Sequence, residues 1–303
     1  MKILVSDPIS DDAILLLRKS NTEFQYSPEI TPEELLAAIG AYDALVVRSR
    51  TKVTKEVISK AQSLKVIGRA GVGVDNIDSE AANAEGIKVL NTPDALTNAV
   101  AEFTIGLMID LSRRIPAADS SMKQGKWEKS KIIGIELKGR TYGTIGIGRI
   151  GQRVSELASA FGMNIMANDV IPIPDQLVKR LGIKVSTQEE IFKTADYVDI
   201  HVPLTTETRN LVNYSKLKLM KPNAFLINTS RGGVVSETDL LRALDDKIIK
   251  GAALDVFEIE PPDKQELLKH ANLIATPHIA GQTAEAQAKA GTQIVELVLK
   301  ALG

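Results

Sequence analysis

The sequence predicts an α/β protein built as two doubly wound parallel-sheet domains, and three observations carry that prediction. From Lys2 onward short β-branched runs alternate with helical patterns, an alternation that reads as βαβ units. A second series of the same kind begins at Thr141, beyond a polar stretch. The chain has 303 residues, and single hydrophobic cores rarely grow past ~250, so two cores are expected.

In the first series the strands are "KILVSD", "EFQYS", "ALVVRS", "KVIGRA" and "KVLNTP", separated by helical patterns such as "SDDAILLLRKS" and "TPEELLAAIG". Thr31, Pro32 and Glu34 place a cap, an N1 proline and a reciprocal acid at one helix start. An apolar-periodic stretch, Ala95 to Ile115, follows, then the polar "PAADSSMKQGKWEKSK", which holds the only tryptophan, Trp127. The second series runs "TYGTIGIG", a helix to Phe161, "MNIMAND", a helix, "IKV", a helix, "YVDIHVP", "AFLINTS", a helix, "GAALDV" and "NLIATP". Thr187 with Glu190, and Ser236 with Asp239, mark two more helix starts. An apolar-faced helix from Thr283 to Leu302 closes the sequence and could cap either domain.

Composition removes several classes of function. Lys and Arg number 37 against 38 Asp and Glu, a net charge of −1 that provides no field to hold a polyanion, so nucleic acid is not expected as a partner. The absence of cysteine rules out disulfides, thiolate nucleophiles, Cys-based zinc sites and iron–sulfur clusters, and no metal site is expected. "MKILVSDPIS" lacks a signal-peptide core and no run approaches the ~18 apolar residues of a membrane span, so a cytoplasmic, membrane-free protein is expected.

Gly146, Gly148 and Gly151 form a G-x-G-x-x-G, a weak signal alone that gains force from its surroundings. It follows the strand "TYGTI", opens the helix "RIGQRVSELASAF", and precedes a strand ending at Asp169, eighteen residues past Gly151. Glycines there allow a tight turn and close approach of a pyrophosphate to the helix N-terminus, where free N–H groups and the dipole favour anions. An acid closing the second strand accepts from ribose hydroxyls and repels a 2′-phosphate, which favours NAD over NADP.

Ligands of an open parallel sheet sit beyond the C-terminal strand ends, and three reactive groups stand at such exits. Arg231 follows "AFLIN", Glu260 follows "GAALDVFE", and His278 follows "NLIA". Hydride exchange between a nicotinamide and a hydroxyl carbon needs a base for the hydroxyl proton, which histidine suits. A carboxylate on the second ring nitrogen would fix the tautomer, and an arginine fork would bind a substrate carboxylate. Singly, these are a loop histidine, a solvated acid and a surface arginine; beside a dinucleotide site they form a constellation. His201 ends a strand with no acid or arginine following closely, so it is expected to line the cofactor cleft. His270 reads as a surface or C-terminal capping residue.

"GRAGVGVDNID", "GTIGIGRIGQ", "NTSRGGVV", "ALDVFEIEPP" and "TPHIAG" occur in that order along the chain, and together they resemble the D-isomer-specific 2-hydroxyacid dehydrogenases. The resemblance implies a flavodoxin-like substrate domain, residues 1–94 and 282–303, and a Rossmann NAD-binding domain, residues 95–281, with the active site in the cleft between them. It gives Arg231, Glu260 and His278 the roles of substrate-binding arginine, carboxylate partner and acid/base. It implies cofactor contacts from Val72, Thr104, Gly146, Gly148, Arg149, Ile150, Gly151, Asp169, His201, Val202, Pro203, Thr229, Ser230, Arg231, Asp255, His278 and Gly281. It also implies a homodimer joined through the NAD-binding domains, which would give the Trp127 segment a role.

Within the family the chain is most similar to members that oxidise D-3-phosphoglycerate with NAD. That similarity implies substrate contacts from Arg48, Arg69, Gly71, Arg231 and His278, and from Lys129 reaching across a dimer. Arg50 reads instead as a solvated strand-end charge. The sequence ends at Gly303, so feedback control through a C-terminal regulatory domain is not expected. A hydroxypyruvate or glyoxylate reductase, or a non-catalytic NAD(H)-sensing protein on the same scaffold, are the rival readings. Tyr214 and Lys218 make a Tyr-x-x-x-Lys, but the short-chain reductase chemistry it suggests lacks a placed serine and leaves the first domain idle.

Overall fold

Strand pairing is parallel throughout, which is why most strands read as apolar runs instead of alternating ones: helices cover both faces of such a sheet. The computed structural model describes residues 1–303. Along the chain come β1 (Lys2–Val5), α1 (Asp11–Lys19), β2 (Glu23–Tyr26), α2 (Pro32–Ala38), β3 (Ala44–Val47), α3 (Lys55–Lys60), β4 (Val66–Arg69), α4 (Ser79–Ala84) and β5 (Lys88–Asn91). Then follow α5 (Thr97–Arg113), α6 (Ile115–Lys123), β6 (Thr141–Ile145), α7 (Arg149–Ala160), β7 (Asn164–Asn168), α8 (Asp175–Leu181), β8 (Lys184–Val185), α9 (Gln188–Thr194) and β9 (Tyr197–Ile200). The last are α10 (Tyr214–Leu217), β10 (Phe225–Asn228), α11 (Glu237–Asp245), β11 (Gly251–Leu254), α12 (Gln265–Leu268), β12 (Leu273–Ala275) and α13 (Ala284–Leu302). No helix is long and apolar enough to cross a membrane.

Two units result, Met1–Thr97 with Gly281–Gly303, and Asn98–Ala280. The first holds a sheet ordered β2-β1-β3-β4-β5, the flavodoxin-like order. One of its layers is closed by α13, whose Ala290, Ile294, Val295 and Val298 are buried with Ile3, Val5, Val46 and Val66. The contact is tight enough to require glycine at position 68, where a Cβ would stand 2.6 Å from Val298 Cγ2. Full burial of each such aliphatic chain contributes roughly 1.5–3 kcal/mol, which explains why the apolar stripe of α13 is spent here.

The second unit holds a seven-stranded sheet ordered β12-β11-β10-β9-β6-β7-β8, the Rossmann arrangement with a seventh strand at the β12 edge. Neighbouring positions of β9 serve opposite faces: Val198 and Ile200 join one apolar layer and Tyr197 the other.

Local chemistry accounts for the helix starts. Thr31 forms both halves of its capping box, accepting the Glu34 N–H at 3.2 Å while the Glu34 carboxylate accepts the Thr31 N–H at 2.8 Å. Thr187 and Ser236 form only the first half, at 3.1 Å and 3.4 Å. Glu190 turns to the Lys184 ammonium, a stronger partner than a backbone amide. The apolar stretch from Ala95 is the helix α5, and a second helix, α6, begins at its end and runs into the polar segment. Arg114 takes a left-handed φ of 55° between α5 and α6, and Pro116 in the first turn of α6 can neither donate nor fit within a continuing helix.

Candidate active site

The glycine loop sits where β6 meets its neighbours β9 and β7, the point at which strand order reverses and ligands bind in such sheets. Gly146 has φ +90°, and a Cβ there would stand 2.3 Å from the His201 carbonyl oxygen. At Gly151 a Cβ would meet the Gly146 oxygen at 2.4 Å, which seats α7 against the loop. At Gly148, the N-cap of α7, a Cβ would meet nothing within 4 Å, and no side chain caps the helix. An open, uncapped N-terminus on a twelve-residue helix suits a pyrophosphate. Beside it Asp169 accepts the Ile147 N–H at 2.7 Å and the Ile171 N–H at 3.0 Å, which fixes its carboxylate with lone pairs to spare for ribose hydroxyls. These residues fit a dinucleotide. Arg149 and Ile150 open α7, while His201, Val202 and Pro203 leave β9 directly beside the loop.

Further along the same sheet edge, β10 exits into Thr229, Ser230 and Arg231. The Asn228 side chain shapes that turn, accepting from Ser230 N and Oγ at 3.0 and 2.7 Å while its amide donates to the Arg231 carbonyl at 3.0 Å. Thr229 is buried against Thr104 of α5, Oγ1 to Oγ1 3.0 Å. Arg231 stands two strands from β12, its Nη1 donating to the Ser230 carbonyl at 2.7 Å. Gly232 must be glycine, because a Cβ would stand 1.7 Å from the Phe257 oxygen.

At the β12 exit His278 adopts φ +54°, a left-handed conformation uncommon outside glycine and one that functional sites often hold under strain. Its Nδ1 lies 2.9 Å and 3.1 Å from the two carboxylate oxygens of Glu260. A carboxylate only accepts, so Nδ1 carries the proton and Nε2 presents a lone pair, the arrangement of a general base. The His278 side chain is 49 % exposed, open to a reactant. Three hydrogen bonds to one buried carboxylate hold its backbone in place. Asp255, fully buried after β11, accepts from Thr276 Oγ1 at 2.6 Å, Ile279 N at 2.9 Å and Ala280 N at 2.8 Å, bracketing the histidine on both sides. Glu260 is steadied likewise: it accepts the Phe257 N–H at 3.2 Å, and Glu237 and Glu258 exchange backbone bonds under the Lys264 ammonium. Burial pushes the Glu237 carboxyl up, opposed by the Glu258 N–H and by Lys264.

In the other unit Arg48, Arg69, Gly71 and Val72 follow β3 and β4. Arg48 donates to Pro8 O at 3.2 Å and Gln282 Oε1 at 3.3 Å; burial lowers its guanidinium from the usual value and Asp7 works against that. Gly71, at φ +148°, leaves room for the Arg69 guanidinium, which a Cβ would meet at 2.2 Å. Asp7, unremarked in the sequence, organises this loop by accepting from Arg48 N, Thr51 N and Thr51 Oγ1. Arg50 is exposed but held: it pairs with Asp7 at 3.1 Å and donates to the carbonyls of Ile30, Ser6 and Pro28. Gly281 begins the chain's return to this unit, where a Cβ would meet Leu96 Cδ2 at 2.5 Å.

The other two histidines are each held by a near neighbour along the chain. His201 does have an acid partner, Asp199, which precedes it by two residues and so lies on the same side of the strand. His270 is neither a surface group nor a cap; its ring is half-buried and Nδ1 accepts the Asn272 N–H at 3.1 Å, fixing the turn into β12. Tyr214 donates its phenol to Asp246 at 2.6 Å, remote from the glycine loop in its hydrogen bonding, and Lys129 is exposed in the segment between α6 and β6.

Fold and site together define a parallel α/β dinucleotide-binding protein with a carboxylate-oriented histidine at a strand exit of the sheet that carries the glycine loop. Residues 105–280 match the profile of the "D-isomer specific 2-hydroxyacid dehydrogenase, NAD binding domain", and the chain belongs to that family. It is 50% identical over 303 residues to the D-3-phosphoglycerate dehydrogenase of Methanocaldococcus jannaschii, covering 100% of this chain and 57% of that protein. It therefore spans little more than half the length of that relative. The hydroxypyruvate reductase of Thermotoga maritima is 42% identical over 305 residues, covering 100% of this chain and 98% of its own length. Among solved structures, the TT0316 protein of Thermus thermophilus matches with a TM-score of 0.92 at 35% identity, covering 100% of this chain and 97% of that one. The D-lactate dehydrogenase of Aquifex aeolicus, complexed with NAD and lactic acid, matches with a TM-score of 0.87 at 29% identity, covering 100% and 95%.

Proposed function

We propose that the chain oxidises D-3-phosphoglycerate reversibly to 3-phosphohydroxypyruvate with NAD, the entry step of serine biosynthesis. The observation that carries the chemistry is the His278–Glu260 pair at the exit of β12, in the same unit as the glycine loop. Bound NAD supplies the hydride acceptor for C2. His278 Nε2 takes the hydroxyl proton while Glu260 holds Nδ1–H and stabilises the imidazolium that forms. Arg231 binds the substrate carboxylate as a fork and orients C2. Oxidation uses the neutral ring and reduction the imidazolium, so rising pH favours oxidation and falling pH favours reduction.

A substrate with both carboxylate and phosphate calls for more cations than a simple 2-hydroxy acid, and Arg48 and Arg69 answer that need. The 50% identity to a phosphoglycerate dehydrogenase supports the choice. A hydroxypyruvate reductase is the second reading, favoured by the Thermotoga relative of nearly equal length. Turnover with NADH over phosphohydroxypyruvate, hydroxypyruvate, glyoxylate and 2-oxoglutarate separates them. The phosphorylated acid should lead in kcat/KM by about 10- to 100-fold, the worth of one or two charge-assisted hydrogen bonds. Hydroxypyruvate or glyoxylate as best substrate replaces the named substrate and keeps the class. Binding of NADH with no turnover on any of them favours a non-catalytic NAD(H)-sensing protein.

We also infer a homodimer formed through the second unit. Trp127 and Ile133 are each 78% exposed there, and Met122 of α6 is also exposed; lone apolar residues are ordinary, but a neighbouring group of large ones marks a contact surface. Light scattering at micromolar concentration should give a dimer for the parent and a monomer for Trp127→Asp. A monomeric parent removes the proposal.

A further inference from the structure

Asp199 stands on β9 inside the second sheet and is fully buried. Its Oδ2 accepts the phenol O–H of Tyr142, on the neighbouring strand β6, at 2.8 Å. The same oxygen lies 2.7 Å from Nε2 of His201, whose side chain is 3% exposed. The other oxygen, Oδ1, is buried without a hydrogen-bond partner. This is a poor way to stabilise a core, because a buried carboxylate is costly and an apolar set of similar volume is often neutral or better. The hydride chemistry gives Asp199 no task either. What it holds is informative.

The two partners belong to the two strands whose ends border the glycine loop. Tyr142 lies on the strand that runs into Gly146, and burial together with the Asp199 carboxylate pushes its phenol well up, which keeps it a donor. His201 follows β9, and its N–H donates to the Ile145 carbonyl at 2.8 Å. Its own carbonyl is the atom that a Cβ at Gly146 would meet at 2.3 Å. Loop and strand exit therefore meet backbone to backbone, with the Val202 side chain packed at the same point, and close-packed interiors transmit shifts. A carboxylate accepts only, so the ring directs Nε2–H at Asp199 and is locked in one orientation.

We propose that Asp199 is a positioning residue for the dinucleotide: by clamping the His201 ring, with Tyr142 on its other flank, it fixes the peptide against which the glycine loop is seated. Its effect is read in affinity for the cofactor and not in kcat. The inference rests on the reading of that loop as the dinucleotide site.

The test uses Asp199→Leu and Asp199→Asn, with NADH affinity from fluorescence titration, kcat at saturating NADH, the thermal midpoint, and 15N spectra of the histidine rings in the cofactor-free chain. With only three histidines, ring signals are assignable by substitution. The Leu variant should bind NADH at least about fivefold more weakly with kcat within about twofold, and its midpoint should fall because the buried Tyr142 phenol and His201 ring lose their acceptor, whereas Asn, which keeps an acceptor oxygen, should fall between Leu and the parent in affinity and hold the midpoint nearer the parent's. The His201 ring should pass from one Nε2–H form to a mixture. If the Leu variant fails to fold, the Asn variant decides by the same readouts. NADH affinity within twofold of the parent, or an unchanged ring spectrum, overturns the inference. A parent that binds no NADH removes the dinucleotide reading itself, a separate outcome.

Discussion

His278→Ala should lower kcat by about 10³-fold, near the middle of the range for loss of a general base, while NADH affinity stays within a few-fold. The ring is exposed and its one fixed partner is Glu260, so its removal leaves no buried group stranded and the fold intact. The loss corresponds to ~4 kcal/mol of transition-state stabilisation. It should fall on kcat and kcat/KM alike, since the proton moves only as the hydride leaves. Steady-state kinetics beside NADH titration check it, and normal turnover in the variant would sink the catalytic assignment. Adding exogenous imidazole to the variant should restore part of the rate, because a small base can occupy the vacated volume.

Gly146→Ala should abolish measurable NADH binding, with Kd raised by about 10²-fold or more. A left-handed φ costs an L-residue about 1–2 kcal/mol, and the added methyl would stand 2.3 Å from a backbone oxygen that has nowhere to go. The loop must then shift, and it is the loop that a pyrophosphate requires in place. Titration of NADH fluorescence reads the effect directly; affinity within threefold of the parent would mean that the loop is not the cofactor cradle. Gly148→Ala is the internal contrast. Its Cβ would point into open space, so it should perturb the fold little and act on ligand alone.

The sequence made legible what short-range rules govern. Thr31, Pro32 and Glu34 lie within one turn, and their box forms in full. The strand–glycine–helix–strand–acid order around Gly146 is contiguous, so it could be read before the sheet was known. Glu260 and His278 were paired on chemistry, and the adjacency of β11 and β12 makes the pair geometrically natural. Hidden features depend on which strands become neighbours. Tyr142 meets Asp199 across fifty-seven residues, and Asp7 meets Arg48 across forty-one. Asp199 and His201 are hard to read as a pair because they lie in an otherwise apolar strand run, although strand periodicity places same-face neighbours two residues apart. The helix α6 is harder to read, because "IPAADSSMK" carries few apolar residues, although Pro116 in its first turn is a visible signal.

The docking of α13 has a consequence for the order in which the protein can fold as it is made. The second unit is one continuous stretch of chain, Asn98–Ala280, whereas the first needs Gly281–Gly303 to close the layer over Ile3, Val5, Val46 and Val66. Ribosomes deliver roughly 5–20 residues per second, so the earliest strands wait on the order of ten seconds or more with one apolar face uncovered. The layer over these early strands is thus closed only after the whole of the second unit has been synthesised. Over that interval the vulnerable surface of the nascent chain is the α13 side of the first sheet, and it is there that a chaperone would have to act.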